Sequence, residues 1–421
     1  MMKRISRRSF TAMASAAGAV LAMPNLAFGA QARVAVVGGG FGGAAAARYL
    51  KRLDKQLAVT LVEASRKFVT CPFSNLVLGG LRPIEEITHG YEGLAKDGVR
   101  VIHATVQGID TGAKRLSLSS GSLLPYDKLV LSPGIDLNFG ALPGYDRTAA
   151  EKMPHAWKAG AQTLLLKRQL EAMPNGGTVL MVCPDNPYRC PPGPYERASM
   201  IAHFLKTRKP RSKILILDAK ENFSKQALFQ EGWQANYPGM IDWLPGKAGG
   251  KVASVDAKAM TVKTEFGEQK GAVINVIPPQ MAGEIARAAG FANDTGWCPV
   301  DFETFQSKMN PDAYVIGDAS IAGQMPKSGF SANSQAKVAA LAIIAVLNSR
   351  KPASPALANT CYSLVAPNYG ISVANVYRVT DKGLVSVEGG VSPTGAPPDF
   401  RNREAIFAEG WYASITRDMF G

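Results

Sequence analysis

The sequence has few of the residues on which metal, haem and membrane proteins depend. Only four histidines occur among 421 residues, and their scattered positions predict no metal site. No Cys-x-x-Cys-His motif is present, so the chain carries no c-type haem of its own. The longest apolar run, residues 338–347, has the length of a helix and the character of a core segment, and no transmembrane segment is predicted. The histidines are His89, His103, His155 and His203.

Charged residues are also limited, at 19% of the chain against 46% hydrophobic residues, so the chain can bury large cores. The net charge is +14, and four of the positive residues lie in the first 29, which hold no acid. The rest of the chain therefore carries +10. No stripe of Lys and Arg is interleaved with aromatics, so nucleic acid is not a predicted partner. A basic surface that meets an acidic protein is at least as consistent.

Residues 1–29 are predicted to be a twin-arginine signal peptide. Ser6-Arg7-Arg8-Ser9-Phe10 is a twin-arginine pattern, an apolar stretch follows over residues 12–23, and small residues follow at 27–29. We therefore expect export of the mature chain by the twin-arginine route to the periplasm, where disulfides are permitted. An uncleaved amphipathic start is the alternative.

A dinucleotide-binding fingerprint comes next. Residues 33–37 predict a buried strand, and three glycines lead from it into a helix-forming stretch. Gly38 permits a tight turn, Gly40 lets the backbone approach a diphosphate, and Gly43 lets helix and strand pack closely. Glu63 ends the next predicted strand, where its carboxylate can accept hydrogen bonds from a ribose diol. This context predicts a dinucleotide at the helix N-terminus.

Strands and helices then alternate, which predicts an α/β architecture with two doubly wound, Rossmann-like units. The second unit lacks a glycine fingerprint. Residues 183–196, after the strand predicted at 178–182, are rich in prolines, which lack the N–H donors that a phosphate needs. We therefore expect no NAD(P)H binding there. From about residue 352 the tail is aromatic and loop-rich, and we predict a separate small domain. Further strands are predicted at residues 129–134, 213–217, 272–277 and 313–316.

The N-terminal fingerprint is paired with a late Tyr-Val-Ile-Gly-Asp sequence at residues 314–318. This pairing resembles the glutathione-reductase-like flavoproteins. Five further segments are similar to one family among them, the flavoprotein subunit of flavocytochrome c sulfide dehydrogenase, which is related to the sulfide:quinone oxidoreductases. The five segments are residues 70–75, 155–160, 189–198, 325–335 and 359–363.

The resemblance implies bound FAD and assigns residues around it. Gly317 and Asp318 would lie at the ribityl chain, and a helix beginning near Ser331 would point its N-terminus at the flavin. Cys71 would carry FAD through a thioether, the alternative being an unmodified buried thiol. Lys327 would lie beside the flavin, where a cation stabilises the reduced anion. The alternative for Lys327 is a solvated lysine.

Cys190 and Cys361 match the family's redox-active disulfide, and a plain structural disulfide is the competing interpretation. Cys190 stands at the start of a predicted helix, where the dipole lowers a thiol pKa, and this favours redox activity. Glu196 matches a position close to the disulfide and is a candidate acid or base. Its alternative is an acid favoured by the helix dipole alone. Cys183 and Cys298 have no assigned partner and are predicted to pack in the core.

The resemblance implies two doubly wound domains of the glutathione reductase type and a small C-terminal α+β domain. Residues 30–150 and 271–350 would form the FAD-binding domain, 151–270 a degenerate nucleotide-binding-like domain, and 351–421 an interface domain. It also implies oxidation of hydrosulfide through the disulfide and FAD, with electrons passing to a separate c-type cytochrome subunit. The alternatives are a sulfide:quinone oxidoreductase and a thiol/disulfide partner that reactivates another sulfur-oxidation protein.

Overall fold

A computed structural model describes residues 31–421 of the chain. The predicted signal peptide lies outside the described residues. The helices are α1 Phe41–Leu53, α2 Ser74–Leu78, α3 Glu92–Lys96, α4 Ala149–Lys152, α5 Ala161–Ala172, α6 Gly193–Arg208, α7 Gln226–Asn236, α8 Glu284–Ala288, α9 Gly329–Leu347 and α10 Pro398–Phe420. The strands are β1 Arg33–Val37, β2 Ala58–Val62, β3 Phe68–Val69, β4 Thr88–His89, β5 Arg100–Ile102, β6 Val106–Asp110, β7 Arg115–Leu118, β8 Leu123–Pro125, β9 Lys128–Leu131, β10 Ile135–Leu137, β11 Thr178–Cys183, β12 Lys213–Asp218, β13 Ile241–Leu244, β14 Val252–Asp256, β15 Thr261–Thr264, β16 Gly267–Lys270, β17 Val273–Val276, β18 Gln280–Ala282, β19 Cys298–Pro299, β20 Ala313–Val315, β21 Ser320–Ile321, β22 Ala356–Ala366, β23 Tyr369–Thr380 and β24 Gly383–Val391.

The first domain is built on a five-stranded parallel sheet in the order β20–β9–β1–β2–β5. Its central strand β1 is almost wholly buried, as its run of valines predicts. Helix α1 buries four consecutive alanines, residues 44–47, and packs against α9, which buries alanines of its own. These small side chains let the two helices approach closely.

The second domain has a four-stranded parallel sheet in the order β13–β12–β11–β17. Strand β17, at residues 273–276, lies in the range that the sequence assigns to the FAD-binding domain, so the boundary near residue 270 is placed too early. A short apolar strand has no signal that tells which sheet it joins, and β17 pairs with β11. Strands β10 and β18 then pair antiparallel and link the two domains.

The C-terminal domain is more regular than its composition predicts. Its three antiparallel strands β22, β23 and β24 have 11, 12 and 9 residues, and helix α10 has 23. The end of α10 is fixed to the first domain, where the buried Arg48 side chain donates to the carbonyl of Arg417 at 2.9 Å. The two Rossmann-like domains and the small α+β domain confirm the predicted fold class.

Helix α9, Gly329–Leu347, is long and apolar enough to cross a membrane by length and composition. Half of that apolar window is buried inside the protein, against α1 and β22. Its N-terminal end borders the cavity described next.

Candidate active site

A cavity of about 550 Å³ lies where the three domains meet. Nine of the eleven predicted site residues line it, and Gly43 and Lys327 do not. The nine are Gly38, Gly40, Glu63, Cys71, Cys190, Glu196, Gly317, Asp318 and Cys361. The first domain, the second domain and the C-terminal strand β22 therefore all contribute to one site.

The glycine loop after β1 has the close approaches that its sequence predicts. Gly38 has a φ of +94°, and a Cβ at this position would lie 2.3 Å from the carbonyl oxygen of Ser132. A Cβ on Gly43 would lie 1.8 Å from the carbonyl oxygen of Gly38, so any larger residue would push α1 away from the loop. Glu63 accepts a hydrogen bond from the backbone N–H of Gly39 at 2.7 Å, which holds the acid against the loop.

Three buried polar atoms along this cavity have no hydrogen-bond partner within the described part of the chain. They are Asp318 Oδ1, Trp157 Nε1 and Trp411 Nε1. An acceptor and two donors left unpaired are explained by a ligand that offers both hydroxyl donors and acceptor atoms, as a flavin dinucleotide does. The turn that carries Asp318 is preorganised, because the N–H of Gly317 donates to Gln335 Oε1 at 2.7 Å. The residues present therefore fit FAD.

Cys71 lies on the loop before α2. Its Sγ is half-buried beside the carbonyl oxygen of Trp157, at 3.5 Å, and faces the cavity. The loop is fixed on both sides, since Ser74 Oγ donates to the carbonyl of Cys71 at 2.6 Å and the Thr70 and Tyr412 hydroxyls are 2.8 Å apart. The thiol is thus held at the wall of the cavity that fits FAD.

Cys190 and Cys361 are both free thiols, and they line this cavity from different domains. Cys190 has a φ of +58°, a left-handed conformation that costs a non-glycine residue about 1–3 kcal/mol. Its N–H donates to the carbonyl of Lys327 at 2.7 Å, which holds it there. Burial raises the pKa of both thiols, and the charge of Arg189 only partly opposes this at Cys190. Burial therefore dominates the Cys190 pKa, against the lowering that the sequence analysis expects from the helix.

Glu196 lies in the first turn of α6, but its oxygens bond to other elements. Oε2 accepts from Asn75 Nδ2 at 2.8 Å, and Oε1 accepts from the N–H of Leu364 on β22 at 2.9 Å. Burial raises the pKa of Glu196, against these two hydrogen bonds, which lower it. Glu196 therefore links α6 to Asn75 and to β22, in addition to any favourable interaction with the helix dipole.

The Lys327 side chain is bound by carbonyl groups of its own loop, next to the cavity. Its Nζ donates to the carbonyls of Asp318 and Ser320, at 2.7 and 2.9 Å, and lies 3.7 Å from the centre of the Trp297 ring. Burial lowers its pKa to about 8. The solvated alternative does not fit an ammonium group that is buried against these carbonyls, and the position beside the flavin stays a prediction.

Sequence reasoning missed Arg197, which lines the cavity and is 2% exposed. It donates to Asn75 Oδ1 at 3.1 Å, to Asn275 Oδ1 at 3.0 Å and to the carbonyl of Ala156 at 2.7 Å. Asn75 therefore joins Arg197 to Glu196. Asn75 and Arg197 lie in segments that carry the family resemblance. A buried arginine whose partners are neutral groups leaves no periodic pattern in the sequence that would identify it.

Two further residues at Cys361 were also missed. Asn359 is buried, and its Nδ2 lies 3.6 Å from Cys361 Sγ, while its Oδ1 accepts from Ser328 Oγ at 2.6 Å. Lys225, at the start of α7, donates from Nζ to Ser363 Oγ at 2.9 Å. Asn359 is two residues from Cys361 and could have been found by proximity, whereas Lys225 is joined to it only by the fold.

The other two cysteines, Cys183 and Cys298, are buried in the core. Burial raises the pKa of both, to about 12 for Cys298. Within residues 31–421, no three His, Cys, Asp or Glu side chains are grouped so that they could hold a metal ion.

Three family models match the chain. Sulfide dehydrogenase (flavocytochrome c) flavoprotein chain, central, matches residues 163–278, and flavocytochrome c sulphide dehydrogenase, flavin-binding, matches residues 353–420. Pyridine nucleotide-disulphide oxidoreductase matches residues 32–170. Over 45 residues the chain is 67% identical to the sulfide dehydrogenase (flavocytochrome c) flavoprotein chain of Chlorobaculum thiosulfatiphilum, covering 11% of this chain and 94% of that sequence.

The chain belongs to the family of flavocytochrome c sulfide dehydrogenase flavoprotein chains. More distant relatives share the fold of this family. The chain is 24% identical over 307 residues to a mitochondrial sulfide:quinone oxidoreductase of Mus musculus, covering 68% of this chain and 65% of that protein. The crystal structure of the sulfide:quinone oxidoreductase from Aquifex aeolicus superposes with a TM-score of 0.73 at 19% identity, covering 92% of each chain.

Proposed function

We propose that this flavoprotein chain oxidises hydrosulfide through a Cys190–Cys361 disulfide and FAD, and passes the electrons to a c-type cytochrome subunit in the periplasm. The observation that carries the proposal is the meeting of these two cysteines, from different domains, at one cavity that also contains the glycine loop and Asp318. A simple structural disulfide has no need of a cavity or of the unpaired polar atoms around it.

The sulfur chemistry is a thiol–disulfide exchange. Hydrosulfide attacks one sulfur of the disulfide, the S–S bond breaks, and its electron pair stays on the other sulfur as a thiolate. Glu196, whose pKa burial raises, is placed to hold a proton at the cavity wall. FAD bound in the cavity supplies an acceptor for two electrons that can release them singly.

Covalent attachment through Cys71 is part of the proposal. Its thiol lies at the wall of the same cavity, and a covalent bond would prevent loss of FAD after export. The cytochrome partner and the periplasmic location rest on the family description, on the absence of a haem motif in this chain and on the twin-arginine pattern.

A quinone is the second candidate acceptor, because an open apolar groove of about 480 Å³ adjoins the cavity. The groove shares Phe330, Tyr362 and Trp411 with the cavity wall, and the adjacent Ile406 and Phe407 are more than half exposed. Such a surface suits a quinone ring as well as the apolar face of a protein partner.

The test is sulfide-dependent reduction of cytochrome c by the purified full chain with its cytochrome partner. Cys190→Ser and Cys361→Ser should each abolish turnover, because either one removes the disulfide. Cys298→Ser is the matched control, since it changes a buried thiol outside the cavity. Turnover that survives either cavity substitution would make the pair structural. Reduction of a quinone analogue alone would select the quinone, and no reduction of either acceptor would favour the thiol-reactivation alternative.

A further inference from the structure

A buried lysine of the second domain reaches the strand that carries Cys361. Lys225 is 7% exposed, and its Nζ donates to Ser363 Oγ at 2.9 Å and to the carbonyls of Cys361 and Ile371 at 3.3 and 3.4 Å. All three acceptors are neutral oxygens. A buried ammonium with neutral partners is only partly compensated, so a nearby negative charge would stabilise it.

The charged groups around Lys225 leave a surplus of positive charge at the sulfur end of the cavity. The groups that act on Lys225 are Cys361, Glu196, Cys190 and Glu404. Glu404 is already engaged, since it accepts from Ser372 Oγ and Ser392 Oγ and pairs with Arg401. Glu196 is the remaining carboxylate, and the buried Arg197 is a second cation beside it. Even with Glu196 ionised, one carboxylate faces the three cations Lys225, Arg197 and Arg189, and the two cysteines are the groups that can supply further negative charge.

The strand segment 361–364 is held at both ends by charged side chains of the second domain. Lys225 donates to the carbonyl of Cys361, and Glu196 accepts from the N–H of Leu364. Of the groups that lower the pKa of the Cys361 thiol against its burial, Lys225 has the largest influence, ahead of Asn359. Burial raises the Cys190 pKa, and the cation that opposes it there is Arg189.

Resting on the proposed function, we propose that Lys225 is a positioning residue that fixes the Cys361 strand and compensates negative charge on Cys361 Sγ. In the exchange, the hydrosulfide sulfur bonds to Cys190 Sγ and the Cys190–Cys361 bond breaks. The electron pair of that bond stays on Cys361, and the hydrosulfide proton stays on the new persulfide of Cys190. Cys361 is the leaving group because the better stabilised thiolate leaves faster.

The test is the pH dependence of alkylation of each cysteine by iodoacetamide in the reduced, full-length holoprotein, resolved by peptide mass spectrometry. Lys225→Met should raise the pH at which Cys361 reacts by about one unit, so that alkylation at a fixed pH near 8 is about tenfold slower. Lys225→Arg should restore the wild-type profile. Lys206→Met is the matched control, because Lys206 is an exposed lysine that also donates to a neutral carbonyl, that of Asn236.

An unchanged Cys361 profile in a folded Lys225→Met protein would overturn the proposal. If that variant does not fold, the wild type decides: Cys361 should become reactive at a lower pH than Cys190, and the reverse order would overturn the proposal. Failure of the proposed function is distinguished by wild-type protein that shows no sulfide turnover, since the alkylation profiles do not depend on turnover.

Discussion

The two Rossmann-like domains share a topology but differ in the loop that follows the first strand. In the first domain three residues, 38–40, separate β1 from α1, whereas nine residues, 184–192, separate β11 from α6. The short loop leaves the N-terminus of α1 open to a diphosphate. The long loop instead brings Arg189 and Cys190 to the cavity where the three domains meet. The same position in the fold serves nucleotide binding in one domain and, by our proposal, sulfur chemistry in the other.

The acids at the ends of the second strands differ in the same way. Glu63 follows β2 and lines the cavity, whereas Asp218 ends β12 and is fully buried. Asp218 accepts from Tyr195 Oη at 2.5 Å, from Lys220 Nζ at 2.6 Å and from Trp243 Nε1 at 3.0 Å. The protein itself therefore satisfies the carboxylate that a ribose would otherwise bind. An acid at a strand end indicates a nucleotide only where the surrounding loops leave it room.

The largest expected effect comes from a substitution that disrupts the glycine loop after β1. Gly43→Ala should reduce the flavin content at least tenfold, because its Cβ would overlap the carbonyl oxygen of Gly38 at 1.8 Å and force α1 away from β1. The measurement is flavin absorbance per protein, with thermal unfolding alongside. Gly410→Ala is the control, since nothing lies within 4 Å of its added Cβ and alanine favours a helix. Full flavin content in Gly43→Ala would contradict the assignment of this loop.

A smaller effect is expected from removing the lysine that pairs with Asp218 in the second domain. Lys220→Met should destabilise the protein by about 3 kcal/mol, because it leaves Asp218 buried without its ion pair. Flavin content should not change, because neither residue lines the cavity. Denaturant unfolding measures the loss, and Lys213→Met, at an exposed position of the same strand, should change stability by about 0.5 kcal/mol or less. Equal stability of the two variants would show that the buried pair contributes nothing.

The sequence predicts the first domain and its glycine loop because every signal there is local. Strand, glycines and helix follow one another within about twenty residues, and steric contacts between near neighbours decide the turn. Gly38, Gly40 and Glu63 consequently line the cavity, whereas Cys190, Glu196 and Cys361 were predicted there only through the family resemblance. The exposed and buried faces of the C-terminal helix α10 were not predicted, because that helix is stabilised by contacts with distant strands.

The failures concern side chains whose partners are remote in sequence or are backbone carbonyls. Lys327 is a residue type that suits a reduced flavin, but its sequence does not show that two carbonyls of its own loop bind the ammonium group. Lys225 meets Cys361 across 136 residues, and no spacing rule connects them. Strand β17 reads as a buried strand, yet only its pairing with β11 shows which domain it joins. Long-range pairing of this kind has no periodic signature.

The smallest expected effect is that of adding a nicotinamide nucleotide, which should leave the second domain unchanged. The second domain should bind neither NADH nor NADPH, because Asp218 is occupied by Tyr195, Lys220 and Trp243 and the prolines of the preceding loop offer no N–H donors. Trp243 lies against Asp218, so its fluorescence would respond to a nucleotide there. Titration with NADH to millimolar concentration should give no saturable quenching, with an NADH-dependent reductase as the positive control. Saturable quenching would show that the second domain keeps a nucleotide site in spite of its filled strand end, and the contrast between the two domains would then lie in affinity alone.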